Sequence, residues 1–456
     1  MKDLTSGSIP RQIIGMATFI ALGMLFQTLY FLVDLYFVSR LGKSVLAGVS
    51  AGGTATFLVL ATTQMIAVGA VALIAQAVGR KDDADANAVF GQSVVLALAA
   101  CAATLIVGYT AAGPAMAAMG ADTESTIAGR DYLYGYLPAL ALAFPTAALG
   151  SGLRAMGVVR EPTAIQVVTV ILNAVLAPVL IAGWGSGVPL GAAGAGLASS
   201  IATALGLAVL VIMFPKVQTR LHLTMARLRP VRAIIARIVT IGLPASGEFF
   251  VMFTLLSGTF WIIRDFGPEA QAGYGLSSRL MQATFLPALA VAFAVTPIAG
   301  QNFGANRPDR VRATFRYAVT IEIGFMLILL VFMQTAPQLL IGPFAENPRV
   351  VAIATDFFAI VSLNLPAQGL IMTCSGMFQA LGSTRLSFFS SLSRIVTYMA
   401  PALWMSTWPG IELRDFWYLS VVSILIQAVV VALLLRRDLA HKLGDVAVPV
   451  LADQPG

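Results

Sequence analysis

Residues 74–79, Ile74-Ala75-Gln76-Ala77-Val78-Gly79, close a long apolar segment, and residues 299–304 close a second one later in the chain. Gln76 recurs there as Gln301 and Gly79 as Gly304, so both are displaced by the same number of positions. This constant offset carries further connector residues into the second half: Leu41-Gly42 to Phe266-Gly267, Ala47-Gly48 to Ala272-Gly273, Ala88 and Phe90 to Ala313 and Phe315, Asp131 to Asp356, and Ala155 and Gly157 to Ala380 and Gly382. The two halves of the chain are therefore related by an internal duplication.

The composition excludes a water-soluble protein. Hydrophobic residues make up 58% of the 456 residues and charged residues 11%, too few to keep the surface of a soluble domain in water. A spanning helix needs about 20 mostly apolar residues. Twelve segments meet that need, at 11–38, 48–78, 86–112, 126–150, 160–183, 190–214, 236–263, 271–300, 312–335, 350–377, 386–407 and 415–436. We predict an all-α polytopic membrane protein with twelve transmembrane helices.

Each half contains six spans, an even number, so both halves start on the same side of the membrane. The two lobes should therefore be related by an axis along the membrane normal. We predict an N-lobe at 1–214, a basic cytoplasmic linker at 215–235, a C-lobe at 236–436 and a cytoplasmic tail at 437–456. Most Lys and Arg fall on the side of the termini, so both termini are expected in the cytoplasm, in a plasma (bacterial inner) membrane. Topology then explains the net charge of +7 without a nucleic-acid partner.

The sequence offers little for metal, redox or enzyme chemistry. Cys101 and Cys374 lie in different halves at positions that are not equivalent, which disfavours a disulfide. His222 and His441 fall in cytoplasmic segments, and no His or Cys cluster has metal-ligand spacing. We therefore expect no metal, no cofactor and no obligatory protein partner. A membrane-embedded enzyme remains the disfavoured alternative, because the spans show no paired acidic motif and no histidine base.

Three acidic residues fall inside predicted spans: Asp34, Glu248 and Glu322. An ionisable side chain there costs a few kcal/mol or more, so each is a functional candidate. Asp34 lies near the end of the first span. Its alternative to an ion-coupling role is to satisfy a buried hydroxyl or a helix end. Glu248 follows Pro244 by one turn, where it can instead stabilise the helix dipole. Glu322 has no acidic counterpart, since the repeat places Ala97 there.

A polar cluster is predicted at the depth of Asp34. Asn173 in the fifth span, with Ser199, Ser200 and Thr203 in the sixth, should reach the outer half of the same lobe. Together these residues would form a proton or sodium site. The alternative for Asn173 is an ordinary helix-packing hydrogen bond.

The order of these motifs resembles the multidrug and toxic compound extrusion (MATE) family over essentially the whole chain. The resemblance rests on short motifs in both halves: Val33-Asp34 before Arg40-Leu41-Gly42, Gln76-Ala77-Val78-Gly79, Leu153-Arg154-Ala155-Met156-Gly157 before Leu172-Asn173 and Pro178, Gly242-Leu243-Pro244 with Glu248, Gly267 with Ala272, Gln301-Asn302-Phe303-Gly304, and Gln379-Ala380-Leu381-Gly382.

This resemblance implies export of organic, often cationic, amphipathic compounds against protons or sodium. Asp34 would be the aspartate of the N-lobe ion site and Asn173 its partner. Ala177 stands where many relatives carry a second aspartate. Because sodium binds hard oxygen ligands, the absence of this carboxylate favours protons over sodium. Residues 363–380 also lack the acid of relatives with a sodium-linked C-lobe site. The expected partners are small organic cations, protons and the lipid bilayer.

Aromatic and methionine side chains are expected to give the substrate cavity tolerant apolar walls. The candidate wall positions are Met65, Tyr136, Met252, Met281 and Phe285, each of which can instead be a packing or lipid contact. The main functional alternative is a lipid-linked saccharide flippase of a related two-lobe superfamily. Such a flippase would need several arginines in its cavity to hold pyrophosphate, and the predicted spans carry few basic residues.

Overall fold

A computed structural model describes residues 3–53, 55–119, 122–184, 187–218 and 220–444, apart from the side chains of residues 31–35, 119, 225 and 226. The described chain is helical throughout, without strands. The helices are α1 (Ile9–Ser39), α2 (Lys43–Gly52), α3 (Ala55–Gly79), α4 (Asp83–Met119), α5 (Thr123–Ala155), α6 (Arg160–Ala182), α7 (Gly191–Val217), α8 (Arg232–Ile262), α9 (Pro268–Gly304), α10 (Pro308–Thr335), α11 (Pro337–Ile341), α12 (Pro348–Val361), α13 (Leu365–Leu381), α14 (Thr384–Arg394), α15 (Ala400–Met405) and α16 (Leu413–Leu443).

The described residues contain 11 helical segments long and apolar enough to cross a membrane. The predicted span 386–407 falls outside that set because a π-helical turn, Ile395–Met399, separates α14 from α15. Helices α2 with α3, and α12 with α13, each supply one predicted span. The all-α polytopic architecture is thereby confirmed.

Two boundaries differ from the predicted ones. Helix α7 continues to Val217 and α8 begins at Arg232, so the connection between the halves is shorter than 215–235. Helix α16 continues to Leu443, past the predicted lobe end at 436. The tail residues 445–456 lie outside the described residues, and the lobe limits stay a prediction.

The two halves meet where the repeated glycines bring backbones together. Helix α3 packs against α8 and α9, and α1 packs against α9. A Cβ on Gly79 would overlap the carbonyl oxygen of Gln301, and a Cβ on Gly304 would overlap that of Gln76. Only glycine permits these two approaches, which are equivalent under the sequence repeat. The repeat therefore produces a reciprocal crossing of α3 and α9.

The same repeat supplies a reciprocal pair of hydrogen bonds between the halves. Gln76 Nε2 donates to the carbonyl oxygen of Ala380 at 2.7 Å. Gln301 Nε2 donates to that of Ala155, also at 2.7 Å. We call these four residues, Gln76, Ala155, Gln301 and Ala380, the latch. Each bond satisfies a carbonyl at a helix end, where no intrahelical donor is available.

Both ends of the described chain lie at the end of the bundle that carries the latch. The amide of Leu4 donates to Gln301 Oε1 at 3.3 Å, and Asn302 Nδ2 donates to the carbonyl of Leu4 at 3.1 Å. Near the other terminus, Lys442 Nζ donates to the carbonyl of Leu381 at 2.8 Å. Among the described residues, the hydrogen bonds that join the lobes lie at this terminal side. The lobes are closed there, and the cytoplasmic location of that side stays a prediction.

Candidate functional site

The predicted N-lobe cluster is partly assembled around Asn173 in α6 and Ser199 in α7. Both side chains are fully buried, and Asn173 Nδ2 donates to Ser199 Oγ at 3.3 Å. Gly194 makes the pair possible, because a Cβ there would overlap the carbonyl of Leu180 and push α7 from α6. Asn173 Oδ1 has no hydrogen-bond partner within the described part of the chain. The site therefore presents an unused acceptor in the lobe interior.

Ser200, beside Ser199, fixes α7 against α5. Its hydroxyl donates to the carbonyl of Gly135 at 2.5 Å and accepts from the amide of Ala139 at 3.0 Å. The hydroxyl thus bridges an N–H and a C=O that would otherwise bond each other along α5, a local opening of the helix ladder. The sequence indicated Ser200 only as a polar neighbour of Ser199, since the hydrogen-bond partners of Ser200 are backbone groups.

The other two predicted members of the cluster are less well defined. Thr203 is half-buried. Helix α1 runs through position 34, but the Asp34 side chain lies outside the described residues. Its ion-coupling role stays a prediction.

In the C-lobe, Glu248 begins a chain of polar contacts that runs from α8 through α13 to α9. Ser375 Oγ donates to Glu248 Oε2 at 3.3 Å and accepts from Gln379 Nε2 at 3.4 Å. Thr296 Oγ1 lies 3.3 Å from Gln379 Oε1. Glu248 Oε1 is buried without a hydrogen-bond partner in the described residues. This oxygen can accept a proton or face a cation.

The polar chain ends at a small cavity that holds a basic side chain. Gln379 and Thr296 line this cavity together with Arg154 and Phe293. The Arg154 guanidinium lies over the Phe293 ring, 5.3 Å from its centroid. A second basic residue, Arg394, occupies the interior of the span built from α14 and α15, and its Nε is buried without a described partner. The interior of the protein therefore carries more basic character than the sequence predicted. Arg154 lies between the predicted spans 126–150 and 160–183, whereas Arg394 lies within the predicted span 386–407.

Glu322 is the most deeply buried carboxyl of the described chain, with 1% of its surface exposed. Thr373 Oγ1 donates to its Oε2 at 3.4 Å, and Oε1 has no described partner. Glu322 and Glu248 occupy separate surroundings, since their hydroxyl partners differ. The described part of the C-lobe thus contains one buried carboxyl, Glu322, and one half-buried carboxyl, Glu248, without a basic partner.

The five predicted cavity-wall residues fall in different environments. Tyr136 is buried and stacks on Tyr132 at 5.1 Å, and Met281 is buried in a C-lobe core cluster that Phe285 borders. Met252 is 53% exposed. Met65 is half-buried, and Gly242 packs against its backbone carbonyl. The assignment of these residues to a substrate wall stays a prediction.

Comparison with known proteins places the chain in a family. The MatE family profile matches residues 20–179 and 244–404. The probable multidrug resistance protein YpnP of Bacillus subtilis is 26% identical over 421 residues, covering 90% of this chain and 91% of that protein. A FAD transporter of Shewanella oneidensis is 22% identical, covering 88% and 89%. The multidrug export protein MepA of Staphylococcus aureus is 25% identical, covering 80% of each chain.

Solved structures show the same fold. A crystal structure of MATE in complex with MaL6 superposes with a TM-score of 0.89 at 23% identity, covering 96% of this chain and 98% of that one. The MATE transporter VcmN of Vibrio cholerae in its bent form superposes at 0.88 with 21% identity, covering 96% and 99%. Because its family profile matches both halves, the chain belongs to the MatE family, and it is a two-lobed, multi-pass membrane transporter and not an enzyme.

Proposed function

We propose that this chain is a secondary active multidrug exporter that exchanges cationic amphipathic compounds for protons. The observation that carries the proposal is the carboxyl of Glu248, which accepts from a hydroxyl through one oxygen while the second oxygen has no partner among the described residues. Intramembrane carboxyls of this kind mark ion and substrate paths. A proton needs one such oxygen, whereas a metal cation needs several hard ligands. Sodium is therefore the less favoured coupling ion.

Internal symmetry supports Asp34 and Asn173 as partners. Under the constant offset of the repeat, Thr259 is equivalent to Asp34 and Tyr398 to Asn173. The hydroxyls of Thr259 and Tyr398 are hydrogen bonded at 2.9 Å. The duplicated register thus favours contact between the two N-lobe positions as well.

The mechanism follows from what protonation changes. An ionised Asp34 attracts a cationic substrate, whereas a protonated Asp34 can donate a hydrogen bond to the unused Oδ1 of Asn173. The substrate then loses its counter-charge, and the new bond alters the packing of α1. Release of the latch on the terminal side would let the lobes reopen toward the substrate pool.

The test is efflux of ethidium from proteoliposomes under an imposed pH gradient without sodium. Asp34→Asn should abolish proton-driven efflux and Glu248→Gln should reduce it, while the exposed Asp265→Asn serves as the matched control. Full activity in Asp34→Asn would move the coupling site to the C-lobe. Transport that needs sodium would overturn the choice of ion, and no transport under either gradient would overturn the cation substrate.

A second candidate is export of an organic anion. Arg154 lies at the seam between the lobes, over Phe293, and it forms no ion pair with a described carboxylate. One relative is named a FAD transporter. Efflux of FAD from the same liposomes, lost in Arg154→Gln and absent for ethidium, would select this candidate. A flippase is less favoured, since it would need several such arginines.

A further inference from the structure

Residues 3–8, here called the strap, precede α1 and contain no regular helix. Four of them are exposed, whereas Leu4 is buried with 1% of its surface accessible. A segment that flanks the first helix of a domain is well ordered only where contacts tie it down. The contacts of Leu4 therefore decide where the strap lies.

Both backbone groups of Leu4 are bonded to the C-lobe. The amide of Leu4 donates to Gln301 Oε1 at 3.3 Å, and its carbonyl oxygen accepts from Asn302 Nδ2 at 3.1 Å. Arg310 Nε donates to Asn302 Oδ1 at 2.9 Å, and this bond fixes which end of the Asn302 amide faces Leu4. Gln301 and Asn302 are buried in α9, where polar side-chain atoms need hydrogen-bond partners. Leu4 supplies two of these partners.

Two arginines extend this anchorage toward α1. Arg307 Nη1 donates to the carbonyl oxygen of Thr5 at 2.8 Å, and Arg310 Nη1 donates to that of Gly7 at 3.1 Å. A charged donor makes a stronger hydrogen bond than a neutral one. Arg307 immediately precedes α10, and Arg310 lies in its first turn. The backbone of the strap is therefore attached to the C-lobe from Leu4 to Gly7.

The side chain of Leu4 packs on the N-lobe. A Cβ on Gly157 would lie 3.2 Å from both Cγ and Cδ2 of Leu4, so glycine gives this side chain room that alanine would reduce. Gly157 also has a φ of +75°, a backbone conformation that glycine adopts without strain. It lies two residues after Ala155, whose carbonyl oxygen belongs to the latch. Leu4 thus joins the lobes, because its backbone is bonded to the C-lobe while its side chain contacts the N-lobe.

We propose that the strap is a bolt across the closed seam, and that it must be withdrawn before the lobes separate on the terminal side. A single residue cannot follow both lobes. Opening therefore breaks either the contact of Leu4 with Gly157 or its bonds to Gln301 and Asn302. In both cases the Leu4 side chain loses part of its cover. The inference needs neither a particular substrate nor a particular coupling ion, so it goes beyond the proposed export.

The strap can detach without unfolding the bundle. The arginine bonds to the carbonyl oxygens of Thr5 and Gly7 lie at the exposed surface, and one buried side chain has to leave its site. Segments with few buried apolar contacts open locally at a lower cost than the whole protein. Helix α1 begins at Ile9, directly after the strap, and packs against α9. Withdrawal of the strap would therefore loosen the start of α1 where the two halves meet.

The test measures distances between spin labels on the full chain in lipid nanodiscs. The labels are attached to cysteines at Ala84 and Arg385, in a background with Cys101→Ala and Cys374→Ala. Both labelled positions are exposed, lie at the starts of α4 and α14, and make none of the strap contacts. Double electron–electron resonance then gives the fraction of molecules whose lobes are separated on the terminal side.

The first variant shortens the buried side chain. Leu4→Ala should raise the open fraction about tenfold, because alanine loses most of the contact with Gly157. Leu4→Met keeps the apolar volume, so its open fraction should stay close to the native one. The matched control is Leu339→Ala, which removes the same atoms from a position that is 68% exposed.

A second variant weakens the strap and leaves its buried side chain intact. Arg307→Ala removes the bond to the Thr5 carbonyl from an exposed connector position, so the fold should persist and the open fraction should rise about fivefold. If either Leu4→Ala or Arg307→Ala left the open fraction at the native level, the bolt would be refuted. An equal rise in Leu4→Met or in Leu339→Ala would also refute it, since packing of Leu4 between the lobes would then not matter.

Discussion

Loss of the latch should let the lobes separate on the terminal side. Replacing Gln76 and Gln301 with alanine together removes the two hydrogen bonds of 2.7 Å to Ala380 and Ala155, and also the bond of 3.3 Å that Gln301 accepts from the amide of Leu4. A net contribution of about 1 kcal/mol for each bond gives about 3 kcal/mol for the double variant. That energy changes the ratio of closed to open molecules by roughly 100-fold. An open state too rare to detect would become a visible minority.

Distances between spin labels can measure this shift. Ala84 and Asp309 are exposed, lie at the starts of α4 and α10, and are equivalent under the repeat. Cysteines at these two positions, in a background with Cys101→Ala and Cys374→Ala, would carry the labels. Double electron–electron resonance should show one short distance in the native latch and an added longer distance in the Gln76→Ala, Gln301→Ala variant.

The two single variants test whether both glutamines contribute to the latch. Because the two bonds of 2.7 Å are equivalent, Gln76→Ala and Gln301→Ala should each give an intermediate population, and their effects should combine in the double variant. The larger shift is expected in Gln301→Ala, which also loses the bond from the amide of Leu4. The exposed Gln338→Ala is the control. An unchanged distance distribution in the double variant would refute the role of the latch. A response to only one glutamine would refute its symmetry.

Two further predictions concern helix α5. Ser200→Ala leaves the Gly135 carbonyl and the Ala139 amide without their bridging hydroxyl, so the free energy of unfolding should fall by about 1–3 kcal/mol, measured by thermal melting against the exposed Ser50→Ala. Asp122 caps α5 by accepting from the Ser125 amide at 2.7 Å, and this bond, followed by one from the Ser125 hydroxyl, lowers the pKa of Asp122 below its ordinary value. A depressed folded-state pKa means that the stabilisation is present above the unfolded-state pKa and is lost as pH falls through the folded one. Asp122→Asn keeps a capping side chain, so its melting temperature should lack that acid-dependent step, whereas a step of native size would contradict this assignment.

The sequence predicted the fold well because the fold depends on signals that need no side-chain geometry. Apolar length predicted the spans, and the repeat at Gln76 and Gln301 predicted two related halves. The predicted span that contains Arg394, 386–407, agrees least with the structure, since its helix is interrupted by a π-helical turn. Periodicity cannot reveal such a turn in a segment this uniformly apolar.

The site was harder to predict because its contacts join distant helices. Asn173 and Ser199 were expected at one depth, and they do meet. The link from Glu248 to Ser375 is long-range, so no local pattern announces it. Arg154 was assigned to a connector from its place at the end of a span, although its side chain reaches back over Phe293. The recurrence of Gln76 as Gln301 was interpreted only as evidence of duplication, although it also indicated the reciprocal contacts that the structure shows.

The two halves are equivalent in their backbone contacts but differ in their intramembrane charges. This difference bears on the transport mechanism. The latch and its glycine crossing are reciprocal, so the two lobes are equivalent at this contact. The repeat pairs each intramembrane acid with a residue that cannot ionise: Asp34 with Thr259, Glu248 with Gly23, and Glu322 with Ala97. If protons are the coupling ion, as we propose, a proton bound at any of these acids would act on one lobe and leave its equivalent unchanged. Because an ion can shift an equilibrium only by its differential affinity for the two states, this asymmetry would let protonation bias an otherwise balanced pair of lobes.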